Sequence, residues 1–270
     1  MNGNDAGILL TKVRKTNPLI HNITNIVVAN FTANGLLALG ASPVMADAIE
    51  EVEEMAAMAG ALVLNIGTLN SRTVESMLLA GKAANNHGVP VVLDPVAAGA
   101  TELRTKSAQR ILEEVEIAVI RGNAAEIANV AGDKWTIKGV DSGNAEGDIK
   151  ELAISAASKL HTVVAVTGPV DYISDGAQVI SVSNGHPILT KVTGTGCLLS
   201  STVGAFLAVE ENHLSAASAA LAFYGTAAEA AVRTVKDLGP GSFQMEFINQ
   251  LSLISEKDVS ERSAIEAGRV

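Results

Sequence analysis

Short apolar runs alternate with longer amphipathic stretches along most of the chain. PLIHNI (18–23), PVMA (43–46), ALVLNIG (61–67), VPVVLDP (89–95), IAVIRGN (117–123) and TVVAVTG (162–168) are dominated by Val, Ile, Leu and Ala, and several end on polar residues or glycine. Continuous apolar character over so few residues predicts strands buried on both faces. Between the runs, apolar positions recur at three- and four-residue spacing, which predicts helices over 25–39, 49–59, 70–87, 102–115, 123–131 and 145–160. This alternation implies parallel strands joined by right-handed crossovers. The expected fold is therefore α/β, with a doubly wound, mostly parallel central sheet flanked by helices on both faces.

The rhythm changes in DYISDGAQVISVSNGHPILT, where β-branched residues alternate with polar ones around Asp175-Gly176. That pattern predicts a small antiparallel β-hairpin near 170–184. Three helices are expected after it, over 195–210, 214–236 and 241–254, the second rich in alanine. With no low-complexity linker and no internal repeat, the expectation is one domain over 1–270.

Composition narrows the function. Hydrophobic residues make up 48% of the chain, yet charged residues interrupt every long apolar stretch, so no run of about 18 residues suits a membrane span. The opening MNGNDAGILLTKVRKTN lacks a basic flank ahead of an apolar core, and a cytoplasmic location is expected. A single cysteine, Cys197, rules out an internal disulfide. Nineteen basic against 29 acidic residues, net −10, argue against nucleic-acid binding. A phosphate would have to be held locally, by backbone N–H groups, one or two basic side chains and a metal.

In open parallel sheets ligands bind beyond the carboxyl ends of the strands. The polar residues there are His21, Asn22, Thr24, Asn25, Asp47, Asn65, Asp94, Arg121, Asn123, Thr167 and the Gly194–Cys197 loop. Gly194-Thr195-Gly196 opens a predicted helix, and its glycines allow a tight turn with unpaired N–H groups facing an anion; it also reads as an ordinary helix start. No Lys-Ser/Thr follows, so it is not a Walker loop. In RGNAAEI (121–127), Asn123 and Glu126 either hold a hydrated Mg²⁺ or form an N-cap with its capping-box partner. Asp94 ends a strand as electrostatic machinery or as loop punctuation, and Arg121 needs a carboxylate or a phosphate as partner. Cys197 reads as a nucleophile with His21 as base, as a small buried residue, or as part of an anion loop. His87, His161, His186 and His213 show no ligand spacing and are expected on the surface, and Met55, Met58 and Met77 in the core.

HNITNIVVANFTANGLLALGASPVMA, LDPVAAGA, the Asn-x-x-Glu motif at 123–126, AVTGPVDYISDG and VTGTGC together resemble the ribokinase-like superfamily, and more closely the hydroxyethylthiazole kinase family. The first and last of these stretches are the most specific. The resemblance runs through nearly the whole chain. It implies transfer of phosphate from ATP to the hydroxyl of 4-methyl-5-(2-hydroxyethyl)thiazole in thiamine salvage, by a homotrimer with active sites between subunits. It further implies that Asn25, Arg121, Thr167, Thr195 and Gly196 serve ATP, that Asp94 and Glu126 arrange Mg²⁺, and that Met45 and Gly194 hold the thiazole. Most superfamily members carry Asp, the proposed base, where this chain has Cys197, which leaves the thiol's part in deprotonation open. Two other readings share the features: a dehydratase of hydrated nicotinamide nucleotides, which usually keeps that Asp, and a non-catalytic thiazole or nucleotide sensor.

Overall fold

The computed structural model describes residues 1–132 and 145–269. All six predicted apolar runs form strands: β1 (Leu19–Ile23), β2 (Ser42–Val44), β3 (Ala61–Asn65), β4 (Val91–Asp94), β5 (Val119–Asn123) and β6 (Val163–Thr167). They pair in parallel in the spatial order β2-β1-β3-β4-β5-β6. The predicted hairpin is β7 (Asp171–Ser174) and β8 (Gln178–Val182), and its turn is closed by Asp175, whose Oδ1 accepts from the N–H groups of Ala177 and Gln178. A further strand, β9 (Ile265–Arg269), pairs with β8, so the antiparallel end is larger than the expected hairpin.

Helices cover both faces of this sheet. Against one face lie α1 (Gly3–Thr16), α2 (Ala29–Leu39), α8 (Thr195–Leu207), α9 (His213–Val235), α10 (Pro240–Leu253) and α11 (Glu256–Arg262), which contribute Leu10, Phe31, Phe206, Phe223, Phe243 and Val259 to one core. On the other lie α3 (Val52–Met58), α4 (Ser71–Asn86), α5 (Glu102–Glu114), α6 (Ala124–Val130) and α7 (Ala145–Leu160), which contribute Ala56, Met77, Ile111, Ile127 and Ala156 to a second. Strand residues divide strictly by alternation, Val63 going to the first core and Leu62 and Leu64 to the second. Burial on both sides explains why the parallel strands read as continuous apolar runs.

The departures from expectation have local causes. Helix α2 starts at Ala29 rather than 25, because Asn25 to Val28 form a turn in which the Ile26 N–H donates to Thr68 Oγ1. Helix α1 was not predicted, although Asn2 and Asp5 form a capping box at its start. Met77 is buried as expected and Met55 is half-buried, but Met58 closes α3 on the solvent side and is 63% exposed. Among the described residues no helix is long and apolar enough to cross a membrane.

Candidate active site

Strand register assembles the site. Asn65 and Asp94 are paired neighbours at the ends of β3 and β4, and each follows a leucine that faces the second core. Alternation therefore turns both side chains towards α8, which packs across β1, β3 and β4. Arg121 follows Ile120 of the second core and turns the same way. At one edge of the sheet the structure thus gathers Asn65, Asp94, Arg121, Thr167 and the start of α8.

Arg121 is the cation of the site. Its Nη2 donates to Thr167 Oγ1 at 2.7 Å, while its buried Nε has no protein partner. A β-carbon on Gly196 would stand 2.9 Å from Arg121 Nη1, so glycine there lets the guanidinium lie against the first turn of α8. Arg121, Thr167, Thr195 and Gly196 line a cavity of about 520 Å³. Tyr224 on α9 forms part of its wall and donates its hydroxyl to the Thr195 carbonyl at 2.6 Å, tethering the glycine loop from behind. The N-cap of α8, Gly194, has φ 91° and no side-chain cap, which leaves the N–H groups of the first turn without an intrahelical acceptor. A β-carbon at Gly194 would meet Val28 at 2.8 Å in addition to the strained φ.

Asp94 is 1% exposed. Its Oδ2 accepts from Asn65 Nδ2 at 2.6 Å and from Ser200 Oγ at 2.9 Å. Burial pushes its pKa up to about 6, Arg121 pulls it down, and Glu126 pushes it further up. Glu126 is the capping-box partner of Asn123: its Oε2 accepts from the Asn123 N–H at 2.9 Å, and the Asn123 side chain accepts from the Glu126 N–H. The same carboxylate reaches the loop after β4, where Oε1 accepts from the Ala97 N–H at 2.8 Å. Ala97 holds φ 58°, a left-handed conformation costly for a side chain, and this bond secures it. The capping reading of Glu126 therefore holds as geometry. It leaves lone pairs on two neighbouring carboxylates, a donor set that suits Mg²⁺, which takes one or two carboxylates together with phosphate oxygens and water. Among the described residues there is no cluster of three or more His, Cys, Asp or Glu placed to hold a metal.

Cys197 sits on the first turn of α8, half-buried, with Asn25 Nδ2 at 3.3 Å from Sγ. Burial first and the Asp94 charge second push the thiol's pKa up, while Asn65, Asn25 and Arg121 act against them. The net direction favours the neutral thiol. His21 is paired with Leu62 and faces the second core, away from α8, and its Nε2 is 2.8 Å from the Ala46 carbonyl oxygen. Burial lowers its pKa. A Cys197–His21 pair is thus ruled out by the side of the sheet each occupies.

Of the remaining predicted residues, Asn25 lies with Cys197 and Asn65 rather than in the cavity, and half-buried Met45 follows the edge strand β2. The Met45 loop is fastened by His21 at the Ala46 carbonyl and by Ser76 Oγ at the Asp47 carbonyl. His87, His161 and His186 are exposed as expected, while His213 is half-buried and its pKa is lowered by that burial. Sequence reasoning missed Ser200, Tyr224 and Asp171. Ser200 and Tyr224 lie inside apolar helices with nothing to single them out. Asp171 opens β7, accepts from the Gly168 N–H at 2.9 Å, lines the cavity, and is pushed by burial up to about 6. A strand-opening carboxylate two residues after Pro169 was its only signal.

The family model of the hydroxyethylthiazole kinase family matches residues 10–257. The solved structure of a hydroxyethylthiazole kinase protein from Pyrococcus horikoshii OT3 is 45% identical, covers 98% of this chain and 99% of its own, and superposes with a TM-score of 0.90. Two more distant structures share the fold: pyridoxal kinase from Staphylococcus aureus in complex with AMP-PCP and pyridoxal (15% identity, 93% and 98% covered, TM-score 0.60) and the ADP/ATP-dependent NAD(P)H-hydrate dehydratase from Bacillus subtilis co-crystallized with ATP/Mg²⁺ (16%, 88% and 90%, 0.59). With matched residues running from α1 into α11, and the cavity, Arg121 and the glycine loop placed as described, this chain belongs to the hydroxyethylthiazole kinase family.

Proposed function

We propose that the protein transfers the γ-phosphoryl group of ATP to the hydroxyl of 4-methyl-5-(2-hydroxyethyl)thiazole, with Arg121, Thr167 and the first turn of α8 holding the phosphates. The observation that carries this reading is Arg121: a half-buried guanidinium with a buried, unpartnered Nε, beside a helix N-terminus whose glycines allow close approach, on the wall of a 520 Å³ cavity. Such a group stabilises charge in a loose phosphoryl-transfer transition state without having to reorganise. Asp94 and Glu126 would hold Mg²⁺, which when bound neutralises phosphate charge. The alcohol approaches from the side of Cys197 and Asn25, with Met45 and Gly194 bounding the thiazole. Steady-state ADP release with and without the thiazole alcohol, with mass spectrometry of the product, tests the assignment. Nucleotide turnover that ignores the alcohol, or ATP binding with no turnover, would replace it with the dehydratase or the sensor.

In this reading Cys197 positions the hydroxyl and neither attacks phosphorus nor serves as the base, since its surroundings favour the protonated thiol. Cys197→Asp is then expected to keep turnover or raise it a few-fold, by adding a proton acceptor where the alcohol lies. Cys197→Ala should retain measurable activity. Intact-mass analysis during turnover should show no phosphorylated protein; a thiophosphate adduct, or a dead Asp variant that still binds ATP, contradicts this assignment.

The assembly we favour is a cytoplasmic homotrimer with shared sites. It is supported by Ile26 and Val27, which lie beside Asn25 at 83% and 66% exposed, an apolar rim that a neighbouring subunit would cover. Sedimentation equilibrium should give a trimer mass, and Val27→Glu should dissociate it with loss of activity. A fully active wild-type monomer would overturn the proposal.

A further inference from the structure

Asn65 was legible only as one of many polar strand ends, yet in the structure it joins the two halves of the site. It is 2% exposed and uses both ends of its amide. Nδ2 donates to Asp94 Oδ2 at 2.6 Å, and Oδ1 accepts from Asn25 Nδ2 at 3.0 Å and from the Gly67 N–H at 2.9 Å. These partners fix the amide's orientation, because a carboxylate can only accept and a backbone N–H can only donate. The Asn25 amide held in this way also reaches Cys197 Sγ, and Ser200 supplies a second donor to Asp94 Oδ2. The chain Cys197, Asn25, Asn65, Asp94, Ser200 therefore begins and ends on α8 and crosses the ends of β3 and β4.

We propose that Asn65 is a positioning residue for phosphoryl transfer, fixing the Asp94 carboxylate with one end of its amide and, through Asn25, the Cys197 thiol with the other. The inference rests on the kinase reading, in which the reacting groups pass between Asp94 and Cys197. An in-line transfer tolerates little displacement, with a shift of about 1 Å costing about 10²-fold. Asn65 makes no hydrogen bond to Arg121 or Thr167, so the phosphate grip on ATP is expected to be left largely alone.

Two substitutions separate the two ends. Asn65→Ala removes both, while Asn65→Asp keeps the oxygen that Asn25 and Gly67 donate to and sets a carboxylate against Asp94. Both are expected to lower kcat by about 30- to 100-fold with KM for ATP within about twofold. Ser200→Ala alone should cost only a few-fold. Combined with Asn65→Ala it should cost more than the product of the two, since each donor holds Asp94 when the other is lost.

The second readout needs no turnover. As Cys197 is the chain's one cysteine, its alkylation by iodoacetamide in ligand-free protein reports the Asn25 end. Asn65→Ala should lower the rate at least about threefold, because Asn25 is no longer held to donate to the sulfur and the reactive thiolate loses that support, and Asn65→Asp, which adds a negative charge nearby, should not raise it. An alkylation rate in Asn65→Ala equal to or above that of wild type, or a kcat loss matched by an equal rise in KM for ATP, overturns the proposal. So does a lowered melting temperature with unchanged kcat. If the wild-type protein leaves the thiazole alcohol untouched, the kinase reading fails, and the alkylation rate of Asn65→Ala against wild type still decides whether Asn65 holds this network.

Discussion

Arg121→Ala is expected to lower kcat/KM for ATP by about 10²- to 10³-fold while leaving the fold intact. The guanidinium is half-buried on the cavity wall, with Nη2 on Thr167, Nη1 against Gly196 and a buried, unpartnered Nε. A charge-assisted contact to a phosphoryl oxygen in such surroundings is worth about 3–4 kcal/mol in the transition state. The Thr167 hydroxyl keeps its bond to the Gly122 carbonyl, but the buried Asp94 and Asp171 lose the cation that draws their pKa values down, so stability should fall at neutral pH and less so at about pH 4 to 5. Arg121→Lys keeps the charge but loses the planar fork, and should fall between wild type and alanine. Steady-state ADP release and thermal melts on the three proteins provide the check. Alanine-variant activity within about threefold of wild type would remove Arg121 from the phosphate site.

The strands were legible in the sequence because the physics that buries them is local. A parallel strand covered on both faces has to be apolar throughout, and each of the six runs became one. The ends of the chain carry no such constraint. Helix α1, at 14 residues, is amphipathic but has a strongly polar face, and it is held in place by docking against α9 and α11. Strand β9, IEAGR, has no apolar run, and its pairing with β8 is a tertiary event invisible in five residues. The site divides along the same line. Asn65, Asp94, Arg121 and Thr167 could be found because topology places functional groups at strand ends. Ser200, Tyr224 and the tie between Asn184, Gly185 and Glu229, which shapes the far wall of the cavity, depend on which helix face meets which strand. Glu126 shows a different limit. Both readings of Asn-x-x-Glu demand the same spacing, and only the structure shows the capping box made while the second oxygen reaches Ala97.

Asp94→Asn should make the protein more stable and almost inactive. Both effects have one cause. A carboxylate 1% exposed is costly to ionise, and its pKa of about 6 lies above the 3.8 of an unburied aspartate. The folded-state value is the raised one, so stability is lost as pH climbs from about 4 through about 6 and is not recovered above. A shift of this size corresponds to about 3 kcal/mol at neutral pH. Asparagine keeps an oxygen for Asn65 Nδ2 and Ser200 Oγ and removes the charge, so the melting temperature at pH 7.5 should rise by about 2–5 °C. The gain should shrink as pH is lowered towards 4, where the wild-type carboxyl is protonated as well. Turnover moves the other way. Without the carboxylate beside Arg121 and Glu126, kcat should fall by about 10³-fold. For the same reason kcat/KM of the wild-type enzyme should decline as pH drops through about 6, a limb that the residual activity of Asp94→Asn should lack. Proteins commonly retain a destabilising charge where function requires it. A variant that melts higher and turns over at the wild-type rate would reduce Asp94 to the loop punctuation its sequence context also allowed.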